Sequence, residues 1–127
     1  MSADNQQETF LLSSRGFYYT GFCVGEMSCS LIRASNRGGG FYYTPDFTIS
    51  NSDRRLLQEV NAVVGQGTGV ITAITGGYNL SIRGCKKVQA VLAFFDNYPL
   101  IAGGLASSKI WLLREIVMFL TQRVRNK

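Results

Sequence analysis

Histidine is absent from the 127 residues of the chain, which removes histidine-ligated zinc and histidine-based catalytic triads from consideration. Cysteine is scarce. Cys23, Cys29 and Cys85 are odd in number and follow no metal-ligand spacing, so three scattered thiols fit a reducing, intracellular setting. Apolar runs long enough to span a bilayer are also missing, as are the basic start and apolar stretch of a signal peptide, so no membrane partner is expected. Acidic residues are outnumbered, eight against thirteen Lys and Arg, which leaves a net charge of +5. That balance permits an anionic partner without demanding one. The length is that of one domain able to bury a core without staples.

Taken in order, residues 1–12 read as a loose lead-in and residues 13–127 as a single domain. Ser13 or Ser14 is the expected N-cap of a first helix ending near Gly25. Residues 27–33 alternate like a strand, with Cys29 and Leu31 on one face and Ser28 and Ser30 on the other. Asn36-Arg37-Gly38-Gly39-Gly40 turns the chain into a return strand over residues 41–50. There Phe41, Tyr43, Phe47 and Ile49 face one side, and Tyr42, Thr44, Asp46 and Thr48 the other. Pro45 removes a ladder donor, which suits an edge or a bulge. A second helix is expected from Asn51 or Ser52, with Asp53 in its first turn and Leu56, Leu57, Val60 and Val63/Val64 as its apolar stripe. Residues 70–75 and 78–83 form a second hairpin about Gly76-Gly77. A third helix covers residues 86–97 ahead of Pro99, and a last one runs from about 107 to 123. The order α-ββ-α-ββ-α-α predicts one α+β domain with a single four-stranded antiparallel sheet.

Helices are expected on one face of this sheet. The other face presents Ser28, Ser30, Tyr42, Thr44, Thr48, Thr72, Asn79, Ser81 and Arg83. Hydroxyls and amides that donate and accept suit contact with base edges, although ordinary solvated sheet faces carry the same residue types. Arg33 and Arg37, near the first hairpin, and Arg54 and Arg55, at the start of the second helix, could supply phosphate contacts. Residues 19–27 draw the most attention. Gly21 and Gly25 lie four apart on one helix face, where two backbones can approach closely. Glu26, a single carboxylate, ends that face. It reads either as a site or as the chance end of a glycine-containing core helix.

The succession Phe17-Tyr18-Tyr19-Thr20-Gly21-Phe22-Cys23-Val24-Gly25-Glu26-Met27-Ser28 resembles the LAGLIDADG homing endonucleases. So do Pro45-Asp46-Phe47-Thr48-Ile49, Asp53-Arg54-Arg55-Leu56-Leu57 and Phe94-Phe95-Asp96-Asn97-Tyr98-Pro99-Leu100, and the likeness covers roughly residues 14–120. The resemblance implies an αββαββα core whose saddle-shaped sheet lies in the major groove of double-stranded DNA. A single motif copy implies the homodimeric form, packed through the helices that carry Thr20, Gly21, Val24 and Gly25, with a long pseudo-palindromic target. It further implies that the two Glu26 side chains meet near the dyad and hold Mg²⁺ with the Gly25 carbonyl and the scissile phosphates, water being the nucleophile on each strand. Asn51 would order the solvent around the attacking water, a role compatible with capping the second helix, and Arg55 would support the scissile phosphate.

The chain departs from the family pattern at three places. Val24 stands where a second acid is usual, and Met27 where glycine is usual. Gly103-Gly104-Leu105 occupies a loop in which many relatives place a lysine, and Lys109 is the nearest base. Three functions are therefore weighed: an endonuclease that promotes mobility of the intron or similar element encoding it; a binder of DNA or intron RNA on the same scaffold, including a maturase; and an unrelated dimerisation or small-ligand domain. An endonuclease of this type would be made in a chloroplast, a mitochondrion or a bacterial cytoplasm.

Overall fold

Residues 27–51 build the long central hairpin, in which β1 (Met27–Ser35) pairs antiparallel with β2 (Phe41–Asn51). Its turn is closed by Asn36, whose side-chain oxygen accepts from the N–H groups of Gly38 and Gly40 at 3.1 Å each. The computed structural model describes the backbone of residues 3–99 and 105–125 and the side chains of residues 15–99 and 108–122. Around the hairpin stand α1 (Ala3–Glu26), α2 (Arg54–Val63), β3 (Val70–Ile74), β4 (Gly77–Arg83), α3 (Cys85–Asn97) and α4 (Leu105–Arg125). The strands form one antiparallel sheet of four in the order β1-β2-β4-β3. This is the order of elements and the α+β class expected from the sequence.

Alternation in the strands sends Met27, Phe47, Ile49, Leu80 and Ile82 to one face, each at most 1% exposed. Onto them pack Leu57 and Val60 from α2 with Val64 at its C-cap, Val88, Val91 and Phe95 from α3, and Ile110, Leu113 and Val117 from α4. Tyr19 and Cys23 add the inner side of α1. The i, i+3/i+4, i+7 spacing of these positions is what lets each helix lay one stripe on the sheet. Among the described residues no helix is long and apolar enough to cross a membrane.

Several boundaries differ from expectation, each for a local reason. α1 begins at Ala3, so the backbone of the segment expected to be loose is helical from there, and Ser13 and Ser14 stand inside the helix. The stretch ahead of Gly16 contains no glycine or proline and includes Gln6, Gln7, Glu8, Leu11 and Leu12, all good helix formers. Asp53, rather than Asn51 or Ser52, caps α2: its carboxylate accepts from the Leu56 N–H at 3.2 Å. Asn51 ends β2, and its side-chain oxygen accepts from the Asp53 N–H at 2.8 Å, which turns the chain into the helix.

Pro45 lies in β2, an inner strand of the sheet, but at the point where its ladder with β4 ends, so on that side it stands at an edge as expected. Its carbonyl accepts from the Gly84 N–H at 3.0 Å. In a strand the N–H and C=O of one residue point the same way, so the missing donor faces the Gly84 carbonyl. That carbonyl is already taken by the Val88 N–H at 2.9 Å, in the first turn of α3. Gly84 itself, at φ +111°, has the positive φ that glycine adopts most readily. Proline therefore sits at the one point of β2 where β4 stops and no donor is wanted.

The core carries a titratable consequence. Burial pushes the Cys23 thiol up to about 12, with the neighbouring Cys29 thiol adding to the effect. Burial pushes Cys29 up to about 11, against the pull of the Lys109 ammonium and with a push from the Asp46 carboxylate. Both groups hold their protons more tightly when folded. Their contribution to stability is thus complete below the unfolded thiol range, near ~8.5, and is lost as pH rises towards the folded values. Urea unfolding midpoints are expected to stay level from pH 7 to 8 and to fall between pH 9 and 10.5, less steeply in Cys23→Ala. Identical slopes in the two proteins would contradict this.

Candidate nucleic-acid interface

Partners across an antiparallel ladder share a face, so the register assigns every strand side chain. Opposite the core face lie three rows across the sheet. The first holds Ser50, Asn79 and Thr72; the second Ser28, Thr48, Ser81 and Val70; the third Ser30, Asp46 and Arg83. Thr44 beside Ile32, and Tyr42 beside Ala34, continue this face along the first hairpin. The nine residues Ser28, Ser30, Tyr42, Thr44, Thr48, Thr72, Asn79, Ser81 and Arg83 all lie on it together. Thr44 and Asp46 form the floor of a groove of about 620 Å³ that is walled in part by Thr68, Arg83 and Lys87. Seven of the nine line this groove, and Ser28 and Ser30 stand on the same sheet face outside it.

Two expected phosphate contacts behave differently. Arg37 is exposed in the hairpin turn. Arg33 pairs with Tyr43 on the core-side face, beyond the reach of the helices, and its guanidinium lies 3.9 Å from the centroid of the Phe41 ring. It stacks on the back of the hairpin because residue 33 has the parity of Cys29 and Leu31. Arg54 and Arg55 are exposed in the first turn of α2, with the Arg54 guanidinium 6.0 Å from the Tyr78 ring centroid.

α1 divides into two surfaces. Thr20, expected at a helix–helix interface, is 4% exposed and turned inward, its hydroxyl donating to the Tyr98 carbonyl at 2.8 Å. It lies about 100° around the helix from Gly21, on the side of Gly16, Tyr19 and Cys23; that spacing was readable in the sequence. Phe17, Tyr18, Gly21 and Gly25 are exposed on the outward stripe, with Val24 half-buried beside them. A Cβ built on Gly21 or Gly25 meets nothing within 4 Å. Packing within the chain therefore does not account for either glycine.

Glu26 ends α1 and is exposed. Met27, the residue after Glu26, pairs with Ile49 at the end of the sheet where β2 closes with Ser50 and Asn51. Arg55 follows within the next turn of chain. Lys109 reaches down from α4 and donates from Nζ to the Met27 carbonyl at 2.7 Å, which ties α4 to the junction that carries Glu26. Among the described residues no three of His, Cys, Asp or Glu gather as a metal site. Glu26 and the Gly25 carbonyl are hard oxygen donors of the kind Mg²⁺ takes. Gly103 and Gly104 lie outside the described residues.

Asp46 was not among the residues expected to form the interface. Buried to 6% exposure, it is the one acid on the open strand face among the described residues. Its alternation with Tyr42, Thr44 and Thr48 was visible. Its partners Ser81 and Arg83 were not, because they follow from the pairing of β2 with β4.

No protein-family model matches the chain, and no curated protein sequence does. Among solved structures it is similar to the LAGLIDADG homing endonuclease I-GzeII in complex with its DNA target, with a TM-score of 0.72 and 24% identity over 85% of this chain. It is similar to the LAGLIDADG meganuclease I-CpaMI bound to uncleaved DNA, at 0.71 and 21% over 88%, and to the homing endonuclease I-TnaI, at 0.67 and 23% over 84%. The chain spans 36%, 40% and 73% of those three proteins, respectively. Its fold is that of the LAGLIDADG homing endonucleases.

The Lys109 contact generates a prediction. A charge-assisted hydrogen bond to a part-buried carbonyl contributes about 1.5–3 kcal/mol, so Lys109→Met is expected to lower the unfolding free energy by about that amount in urea titrations. Lys109→Arg, which keeps a cationic donor, should recover part of the loss. Equal stability of Lys109→Met and the parent would show that the contact is not formed in solution.

Proposed function

We propose that the chain is a site-specific DNA endonuclease of the homing type, which acts as a homodimer and makes a double-strand break in a long, pseudo-palindromic target. The observation that carries this reading is one arrangement. A concave, hydroxyl- and amide-rich sheet face runs up to an exposed carboxylate, Glu26, at the foot of a helix whose outward stripe holds Gly21 and Gly25. A surface of that chemistry suits base edges in the major groove. Two glycines with open space above them suit the crossing of a second α1. Two-fold symmetry then sets a second Glu26 beside the first and repeats the sheet on the next half-site.

In this reading Ser28, Ser30, Tyr42, Thr44, Thr48, Thr72, Asn79, Ser81 and Arg83 read bases, while Arg37, Arg54 and Arg55 bind the backbone. Their contacts set the scissile phosphate near Glu26. The paired Glu26 carboxylates and Gly25 carbonyls would hold Mg²⁺, which when bound supplies an activated water and charge stabilisation for the departing oxygen. Asn51, at the same end of the sheet, offers its amide nitrogen to that water's solvent shell, since its oxygen is engaged by Asp53. Arg55 offsets charge on the phosphate. The product is a break in both strands, which would let the coding element be copied into an allele that lacks it. A binder of DNA or intron RNA that does not cut is the second reading, favoured by Gly103-Gly104 where the family pattern has a lysine.

Two experiments test this. Partners of metal ligands alone are worth about 10–100-fold, so Glu26→Gln is expected to reduce Mg²⁺-dependent cleavage of element-free host DNA by at least ~100-fold. Salt-sensitive binding should remain within a few-fold. Binding without cutting in the parent would favour the second reading, and neither activity would remove both. Separately, Gly21→Leu should leave the fold intact, because its side chain enters open space within the chain, yet shift sedimentation from dimer to monomer. A parent that sediments as a monomer with and without DNA would exclude the homodimer.

A further inference from the structure

We propose that Asp46 is a positioning residue that holds Arg83 for recognition of a guanine in each half of the DNA target. This rests on the DNA-binding reading above and adds to it a base, its reader and the reader's support.

Asp46 is an anomaly of charge on this face. A face meant for a polyanion gains nothing from a free carboxylate, and a buried one is costly unless both oxygens are engaged. Asp46 is engaged on both: Ser81 donates from Oγ to Oδ1 at 2.8 Å, and Arg83 donates from Nη2 to Oδ2 at 3.4 Å. Both partners come from β4, and the register sets Arg83 directly across from Asp46. The two ends of the ion pair sit in different surroundings. The Asp46 side chain is 8% exposed and that of Arg83 is 53% exposed. The carboxylate is thus an anchor in the groove floor, and the guanidinium reaches from it into the groove.

A guanidinium has five N–H donors in a rigid fork. With one turned to Asp46, others remain to bridge O6 and N7 of guanine, the commonest specific arginine contact in the major groove. An untethered arginine on an open sheet samples many rotamers and loses that freedom on binding, whereas one already tied to a carboxylate loses less. Ser81, by occupying the other oxygen, keeps the carboxylate from turning away. A cross-strand ion pair that served only to fix the β2–β4 register would satisfy the same distances, so base preference, not stability, distinguishes the two roles.

Geometry also places the base. Residues on one face of a strand recur every ~6.7 Å, and base pairs rise by ~3.4 Å. The Asp46–Arg83 row stands two rows from the Ser50–Asn79 row, which lies towards the end of the sheet where Met27 follows Glu26. With the strands laid along the groove, as the DNA-binding reading has them, the guanine is expected on the order of four base pairs outward from the base pair facing the Ser50–Asn79 row.

The test is selection of bound duplexes from a fully randomised library, without divalent cations, for the parent, Asp46→Ala, Asp46→Asn and Arg83→Gln, each first checked for cooperative thermal unfolding. The parent should prefer guanine at one position per half-site by about 10- to 100-fold. Asp46→Ala and Asp46→Asn should reduce that preference to within about 3-fold and leave unchanged the positions other than those facing Arg83 and Ser81, the two side chains that Asp46 holds. Arg83→Gln should move the preference towards adenine, since glutamine pairs with its N6 and N7. Guanine preference that survives in the Asp46 variants, or in Arg83→Gln, overturns the proposal. Should Asp46→Ala and Asp46→Asn fail to fold, Asp46→Glu, which keeps the carboxylate but displaces it by one methylene, replaces them, and an undiminished guanine preference in it overturns the proposal. A parent that folds but shows no sequence-selective, salt-sensitive binding overturns the DNA-binding reading and this proposal with it.

Discussion

The pairing of β2 with β1 on one flank and with β4 on the other is the constraint on which the rest of the structure depends. Strand side chains alternate, so a slip by one residue would exchange Phe47 and Ile49, both in the core, for Asp46 and Thr48. The helices could not pack on such a face, and the groove would lose its polar floor. Because burial of Met27, Phe47, Ile49, Leu80 and Ile82 enforces the register, it also decides which polar residues stand in rows on the far side. Core and interface are thus two readings of one hydrogen-bond ladder.

α1 shows the same economy in helical form. Gly16, Tyr19, Thr20 and Cys23 face the chain's own core, and Thr20 is fastened to the end of α3. Phe17, Tyr18, Gly21 and Gly25 face outward. The helix delivers Glu26 to the end of the sheet, and Lys109 fixes the next carbonyl, so the position of that carboxylate depends on contacts from α1, β1 and α4 together. A rigid scaffold around an exposed charged group is what a site requires if it is to meet substrate in one geometry.

Much of this was legible in the sequence. The alternation of Ser28, Cys29, Ser30 and Leu31, and of Tyr42 through Ile49, gave each strand's faces because a half-buried strand has a period of two. The helical stripes of α2 and α3 were legible for the matching reason. What escaped was set at longer range. The roles of Asn51 and Asp53 turn on which of two neighbouring cap formers takes the Leu56 N–H, a choice that the end of β2 makes. Arg33, named as a phosphate contact for its place near the first hairpin, is exposed there, and its parity sets it over Phe41 on the back of the hairpin. Asp46 looked like one more polar residue until β4 brought Ser81 and Arg83 to it across 35 and 37 residues of chain. Local periodicity assigns faces; pairing across the sheet assigns partners.

Pro45 carries a consequence for solubility. Beyond Asp46, β2 has no neighbour on the β4 side, so its outer half offers a bare flank to any passing strand. On that flank the backbone groups of residues 41, 43 and 45 are directed outward, and the exposed Phe41 and Tyr43 side chains beside them would favour strand addition. Proline breaks the row of donors at the point where an incoming strand would have to continue alongside Gly84. The bend into α3 then closes the space. The longest hairpin of the protein can thus extend well past its sheet without becoming a template for aggregation.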